Sequence, residues 1–458
     1  MDAAVFAASV MPSLDYRDCA TPAATIFDLP AAAGRMPGSK TRWPSWRRRS
    51  ASAAPPPRNA GPQAPGYAAA MSRGLFIAFL LSFGPAVSNS FARFAYALLL
   101  PAMRSDLQWS WSQAGAINTV NAFGYLLGAL LVRAVVNRLG NRRLFCAGMV
   151  ISSVALFATG LVRELPALMA LRVLTGIGGA AVFICGGALS GNVMPRRPEM
   201  ATTTIAVYFA GGGLGLMLTG AVLPGMLETQ GPASWPLAWR EMGIVAALMS
   251  AASIWAALRI DEPGAGAGSS QWRLGPLAAE FASYAMFALG YIGYMTFMVA
   301  WMRGQGASTS LVIAVWCLLG LATWLAPLVW RYPAEHWPGG RPLAAVMAVL
   351  ALGAALPLFS AHTAVLLASA LFFGVAMFSA PSSVSSFIKG ALPKPAWGSA
   401  MATFTVMFAA GQIAGPVAIG WVADLTGSLA GGLAVSAALL ALGAVIALAQ
   451  RDVRATSA

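Results

Sequence analysis

The stretch "YFAGGGLGLMLTG" at residues 208–220 returns two hundred positions later as "FAAGQIAGPVAIG" at 408–420. Under that shift Ala210, Gly211, Gly215 and Gly220 fall on Ala410, Gly411, Gly415 and Gly420. Small residues four apart let helices approach closely inside a bilayer, so packing alone accounts for these glycines. The duplication carries further. Two equivalent halves around a midplane site are how secondary transporters expose that site to each side in turn.

Composition names the solvent. Hydrophobic residues make up 58% of the 458 and charged residues 10%, against about 25% charged in an average soluble domain. So few charges cannot cover a water-facing surface, and the chain is expected to lie in a lipid bilayer. The net charge of +14 would suit a nucleic-acid partner, but the basic residues sit mostly in short loops between apolar runs. No nucleic-acid partner is expected. The two histidines, His336 and His362, and the four scattered cysteines, Cys19, Cys146, Cys185 and Cys317, offer no metal-ligand spacing. No metal and no cofactor are expected.

Twelve apolar segments from Gly74 onward can each span about 30 Å of hydrocarbon. They run 74–103, 112–134, 144–162, 167–192, 200–226, 241–260, 276–302, 309–330, 342–360, 363–388, 400–423 and 428–450. The expected fold is an all-α membrane protein of two six-helix, pseudo-symmetric halves, 71–260 and 276–450. A linker at 261–275 joins them and a short tail follows at 451–458. With both termini inside, the loops facing the cytoplasm hold most of the arginines and lysines, and only Arg104, Arg163, Arg240 and Arg303 face out. The positive-inside rule then places both termini in the cytoplasm of a multi-pass inner (plasma) membrane protein. A monomer is expected.

Residues 1–70 are rich in Ala and Pro and include "RWPSWRRRS". They are expected to form a disordered basic tail, or to be an extension upstream of a start at Met71. A polybasic surface-binding segment is the alternative.

A loop and a helical stretch carry a family resemblance. "RAVVNRLGNRR" (133–143) is similar to the signature loop of the major facilitator superfamily at Arg138, Gly140, Arg142 and Arg143. Arg133 stands where a Gly is usual and Asn137 where an Asp is usual. "LRVLTGIGGAA" (171–181) matches that superfamily's helix-four pattern at Arg172, Gly176 and Gly178. "FARFAYALLLPAM" and "QAGAINTVNAFGYLLGALL" resemble its YbfB/YjiJ-type branch. The resemblance implies a gating latch at Asn137, Arg138, Gly140, Arg142 and Arg143. It also makes Arg172 a coupling residue or an organiser of the first half's interior. Helices one, four, seven and ten would line the cavity, with two, five, eight and eleven closing it. The drug-antiporter signature of the superfamily has Pro after the second spaced Gly of helix five; Leu216 follows Gly215 here.

The chain contains no phosphate-binding GxxxxGK[ST] loop, no HExxH and no GxSxG, so no catalytic residues are assigned and an enzyme is not expected. An ion or substrate gradient, with a proton as one candidate, would supply the energy.

The polar residues inside the spans define a candidate site. At 100° per residue Asn89, Arg93 and Tyr96 share one face of helix one within about 40°. Asn121 and Tyr125 join Asn118 on helix two. Tyr291 and Tyr294 lie on helix seven, four serines (379, 382, 383 and 386) on helix ten, and Gln412 on helix eleven. Glu280 is the one carboxylate expected within a span, and so the second coupling candidate. A charge at the centre of a membrane helix costs about 2.5–3.5 kcal/mol on insertion scales, so Arg93 either snorkels to the interface or serves a purpose. Gly84-Pro85 suggests a kink beside it.

Arg93 and Arg172 bias the interior positively. The leading reading is a secondary active transporter of a small organic, carboxylate-like anion, since guanidinium pairs with carboxylates in a bidentate manner. An exporter of drugs or amphipathic metabolites is the alternative, and a non-transporting sensor or scaffold a third.

Overall fold

The computed structural model describes residues 65–197, 200–262, 272–393 and 396–453. The expectations for 1–64, 263–271 and 454–458 fall outside them. The chain divides into two compact units, Met1–Arg73 and Gly74–Ala458. Of the first, residues 65–73 are described, and they are helical.

Among the described residues, twelve helices are long and apolar enough to cross a membrane. They are α1 (Met71–Leu107), α2 (Trp111–Leu139), α3 (Asn141–Thr159), α4 (Leu165–Gly191), α5 (Thr203–Gln230) and α6 (Pro232–Ala257). The second half repeats the plan with α7 (Gly275–Gly304), α8 (Thr309–Ala334), α9 (Arg341–Phe359), α10 (Thr363–Ala391), α11 (Ser399–Thr426) and α12 (Leu429–Leu448). An even number of crossings puts both ends of this unit on one face, called here the terminal face; the opposite one is the far face.

Burial separates inner helices from outer ones. In α1 every residue from Gly84 to Leu100 is buried, and so is every residue of α7 from Gly290 to Met302. Large apolar side chains stand exposed on the outer helices, including Leu248 of α6 (69%), Leu328 of α8 (63%) and Val445 of α12 (65%). Apolar atoms turned outward at that density are stable only against hydrocarbon.

The glycine repeat is one joint used twice. A Cβ at Gly211 would strike the Ser82 carbonyl and one at Gly215 the α1 backbone at Ala86, whereas Gly411 and Gly415 meet Ala288 and the Leu289–Ile292 stretch of α7. Gly220 lies against Trp316 of α8 and Gly420 against the Trp111 carbonyl of α2. Thus α5 clasps α1 and α8, and α11 clasps α7 and α2, as a duplication requires.

Helix α1 departs from the regular geometry the sequence suggests. Pro85 has no N–H to give the Leu81 carbonyl, and Ser253 Oγ of α6 donates to that oxygen instead at 3.3 Å. Beyond the proline, Ala86–Phe94 is a π-helix, in which Ala95 N bonds Ser90 O at 2.7 Å. Each bond there closes over five residues and not four. Helix α10 is also interrupted, at Phe378 between Thr363–Met377 and Ser379–Ala391.

Candidate functional site

The halves meet through a ladder of side-chain hydrogen bonds entering from the far face. Asp424 of α11 accepts from the backbone N–H groups of Trp111 (2.8 Å) and Ser112 (2.9 Å), two of the four donors a helix start leaves open. Ser110 Oγ takes the third, from Gln113 N. Arg104 stacks on the Trp111 ring, 3.8 Å from its centroid. Further in, Asn118 Nδ2 donates to Thr296 Oγ1 at 2.9 Å, and Thr119 Oγ1 to the Ile413 carbonyl at 2.7 Å.

At the level of Ile413 the ladder reaches Arg93. Its Nη2 donates to Gln412 Oε1, and Gln412 Nε2 donates to the Tyr291 hydroxyl at 2.9 Å. Arg93 is 5% exposed; among the described residues it bonds no carboxylate and its Nε has no hydrogen-bond partner. Tyr125, half-buried, lies within electrostatic range of Arg93 and Tyr291. The Tyr291 ring stacks on Phe287 at 4.6 Å, and Tyr284, Phe287 and Tyr291 all lie nearly parallel to Phe408 of α11. This is a flat aromatic wall beside an under-bonded guanidinium.

The remaining candidates are placed elsewhere or only nearby. Asn89 is buried and makes no side-chain hydrogen bond among the described residues. Tyr96 bonds a different helix from the one that Arg93 reaches, and the π-helix that ends at Phe94 shifts the register that a 100° projection assumes. Its hydroxyl donates to the Ala114 carbonyl of α2 at 2.7 Å. Asn121 turns to α4, donating to Arg172 O (3.1 Å) and Thr175 Oγ1 (3.0 Å). Tyr294 turns into the second half, where its hydroxyl pairs with Ser369 Oγ at 2.7 Å and its ring stacks on Phe373 at 3.9 Å.

Arg172 sits behind α1 and apart from Arg93's partners. Nη1 donates to the Ala92 carbonyl at 2.5 Å, and the guanidinium lies 4.2 Å from the Trp239 centroid and 5.2 Å from that of Tyr96. One cation thus ties α4, α1 and α6 together. The two arginines therefore do not form the joint positive cavity that the sequence suggests.

Glu280 is 1% exposed, at the terminal-face end of α7, where it lines a separate cavity. Ser383 and Ser386 of α10 line that cavity too, away from the Arg93 cluster where the sequence reading gathers them. Around the turn between α2 and α3, Asn137 and Arg138 at the end of α2 and Arg143 at the start of α3 are exposed. Gly140 holds φ +79°, and Arg142 N donates to Glu262 Oε1 at 3.1 Å. The carboxylate missing at Asn137 is met by one from the linker, seated at the start of α3 where the helix dipole favours it.

Phe287, Phe408, Trp239, Asp424 and Glu262 are not singled out by the sequence. The aromatics read as ordinary membrane residues. Asp424 falls one position past the expected end of its segment, at 423, and Glu262 lies in the linker. Gln412 is legible as a polar residue inside a span, though its partner 319 residues away is not.

Among solved structures, the nucleoside transporter NupG matches with a TM-score of 0.60 at 16% identity, covering 83% of this chain and 98% of that one. A bacterial homolog of the human lysosomal transporter Spinster, in an inward-facing and occupied conformation, matches at 0.61 and 14%, covering 86% and 97%. At such identities these likenesses show the fold alone. A comparison with curated proteins finds no match. The family model described as "Uncharacterised MFS-type transporter YbfB" matches residues 86–448. The chain belongs to that family, and is a secondary transporter of the major facilitator type.

Proposed function

We propose that this transporter carries a small organic anion, with Arg93 as the group that binds its charge. The observation that carries the reading is the state of Arg93: buried where the halves meet, bonded to the neutral Gln412, and paired with no acid among the described residues. A desolvated guanidinium gains more from a carboxylate than from an amide carbonyl. An arriving anion therefore replaces a weaker acceptor and meets no internal counter-ion to compete with. Tyr291 and Tyr125 supply hydroxyls beside it, and the aromatic wall suits an apolar or planar body. Arg172, held by Ala92 and Trp239, keeps the first half in shape, and Glu280 is the coupling candidate. The terminal face is the cytoplasmic one, in a plasma (inner) membrane, and the far-face ladder is the closed gate of a monomer.

The test is a thermal-shift screen on purified protein with organic acids, organic cations and neutral amphiphiles. The expected result is stabilisation by a subset of carboxylates, reaching about 2.7 kcal/mol at a hundredfold excess over Kd, and lost in Arg93→Ala. Stabilisation by cations or neutral amphiphiles alone would overturn the anion reading and favour the exporter. Flux in liposomes with any of these ligands removes the scaffold.

A further inference from the structure

The cavity at the terminal-face end of the second half has a volume of about 130 Å³, room for several waters. Glu280, Trp337, Ser383, Ser386 and Asp452 are among its walls. Glu280 is 1% exposed, and its Oε2 has no hydrogen-bond donor among the described residues. Ser383 is 3% exposed and likewise makes no side-chain hydrogen bond among them. Among the described residues, the two titratable side chains lining the space are both carboxylates. Arg331, His336, Arg341, Lys389 and Arg451 stand on the surrounding elements and are not among its walls, and α7 contributes no second charge there.

The backbone fixes this arrangement. Gln450, just past α12, accepts from Glu280 N at 3.1 Å and donates to Pro276 O at 2.8 Å. Its own carbonyl accepts from Gly340 N at 3.2 Å. The segment carrying Asp452 is thereby pinned across the start of α7 and the turn before α9. A buried carboxylate with an oxygen lacking any donor is costly unless a positive charge joins it, and this one opens onto space that a solvated ion fits.

The geometry points to a second site here, one that takes a monovalent cation: a proton on Glu280, or an alkali-metal ion held by Glu280, the Ser383 hydroxyl and Asp452. Glu280 lies eleven residues from Tyr291 on the same helix, about 16 Å at 1.5 Å per residue. The site is therefore distinct from the Arg93 cluster and stands whether or not Arg93 binds anions. It deepens the coupling role proposed for Glu280 by giving the ion its ligands. Occupancy would be sensed by α7, α10 and the pinned C-terminal segment together.

The melting midpoint of the purified full chain tests this, read by tryptophan fluorescence in NaCl, KCl and choline chloride at equal ionic strength from pH 5 to 8.5. The expected result is a midpoint several degrees higher with a bound cation, and a Glu280→Gln protein that no longer responds. A response to Na⁺ or K⁺ at fixed pH identifies the metal ion; a response to pH in choline alone identifies the proton. Ser383→Val, which fills the space, should abolish the metal response and leave a proton response, and serves if Glu280→Gln fails to fold. Arg93→Ala should respond as wild type does, which separates this site from the anion reading. Equal responses in wild type and Glu280→Gln, or none in wild type, would overturn the proposal.

Discussion

Arg93 of the first half hydrogen-bonds Gln412 of the second through Nη2 and Oε1. A cation bonded to a neutral amide can be released or joined without breaking an ion pair. Gln412 in turn reaches Tyr291, so a change at Arg93 is felt on α1, α7 and α11 at once.

Replacing Gln412 by Glu places a carboxylate on Arg93 permanently. Stabilisation by organic acids should then weaken at least tenfold, about 1.4 kcal/mol, while the ligand-free midpoint holds or rises. Isothermal titration and melting curves of the same preparation check both halves of the statement.

Arg172 should behave otherwise. Removing its side chain in Arg172→Ala strips the Ala92 carbonyl of a donor and the Trp239 ring of its cation. The expected loss is about 2–4 kcal/mol of stability, with the shift produced by any ligand unchanged. Retained stability together with lost ligand response would transfer the binding role from Arg93 to Arg172.

The far-face packing of α2 on α11 depends on close approach. A Cβ at Gly115 would lie 2.3 Å from the Pro416 carbonyl oxygen, so Gly115→Val must push α2 from α11, at about 1–3 kcal/mol or more. With Ser112→Cys as the reporter, an impermeant maleimide should label the thiol faster when Gly115→Val is also present than when it is not.

Asp424→Ala removes the acceptor for two N–H groups at the start of α2. A cost of about 0.5–2 kcal/mol is expected, together with the same gain in far-face labelling. Asp424→Asn keeps one acceptor oxygen and should fall between.

The outline of the fold was legible because lipid allows so little else. Spanning segments must be apolar and about twenty residues long, and the loops between them must carry the charge. The repeat at 208–220 and 408–420 also survived as pattern, since the clasp it makes requires small residues at fixed spacing. The site was half legible. Arg93, Gln412 and Tyr291 stood out as polar groups in apolar runs, and the structure joins them. Tyr96 and Tyr294 stood out equally but face packing partners. Local spacing cannot report that Ser369 waits opposite Tyr294, or that a π-helix has turned α1 between Asn89 and Tyr96. Backbone hydrogen bonding over five residues leaves no mark in the side-chain sequence beyond Pro85.

The bond from Ser253 to the Leu81 carbonyl fastens the broken point of α1 to an outer helix. Arg93 stands eight residues beyond Pro85, roughly 10 Å along the axis at somewhat under 1.5 Å per residue, so a 10° swing there moves the guanidinium by about 2 Å. That is the difference between a made and a lost hydrogen bond. The N-terminal stretch of α1 is thereby the fixed base of a lever arm, and Arg93 rides at its working end.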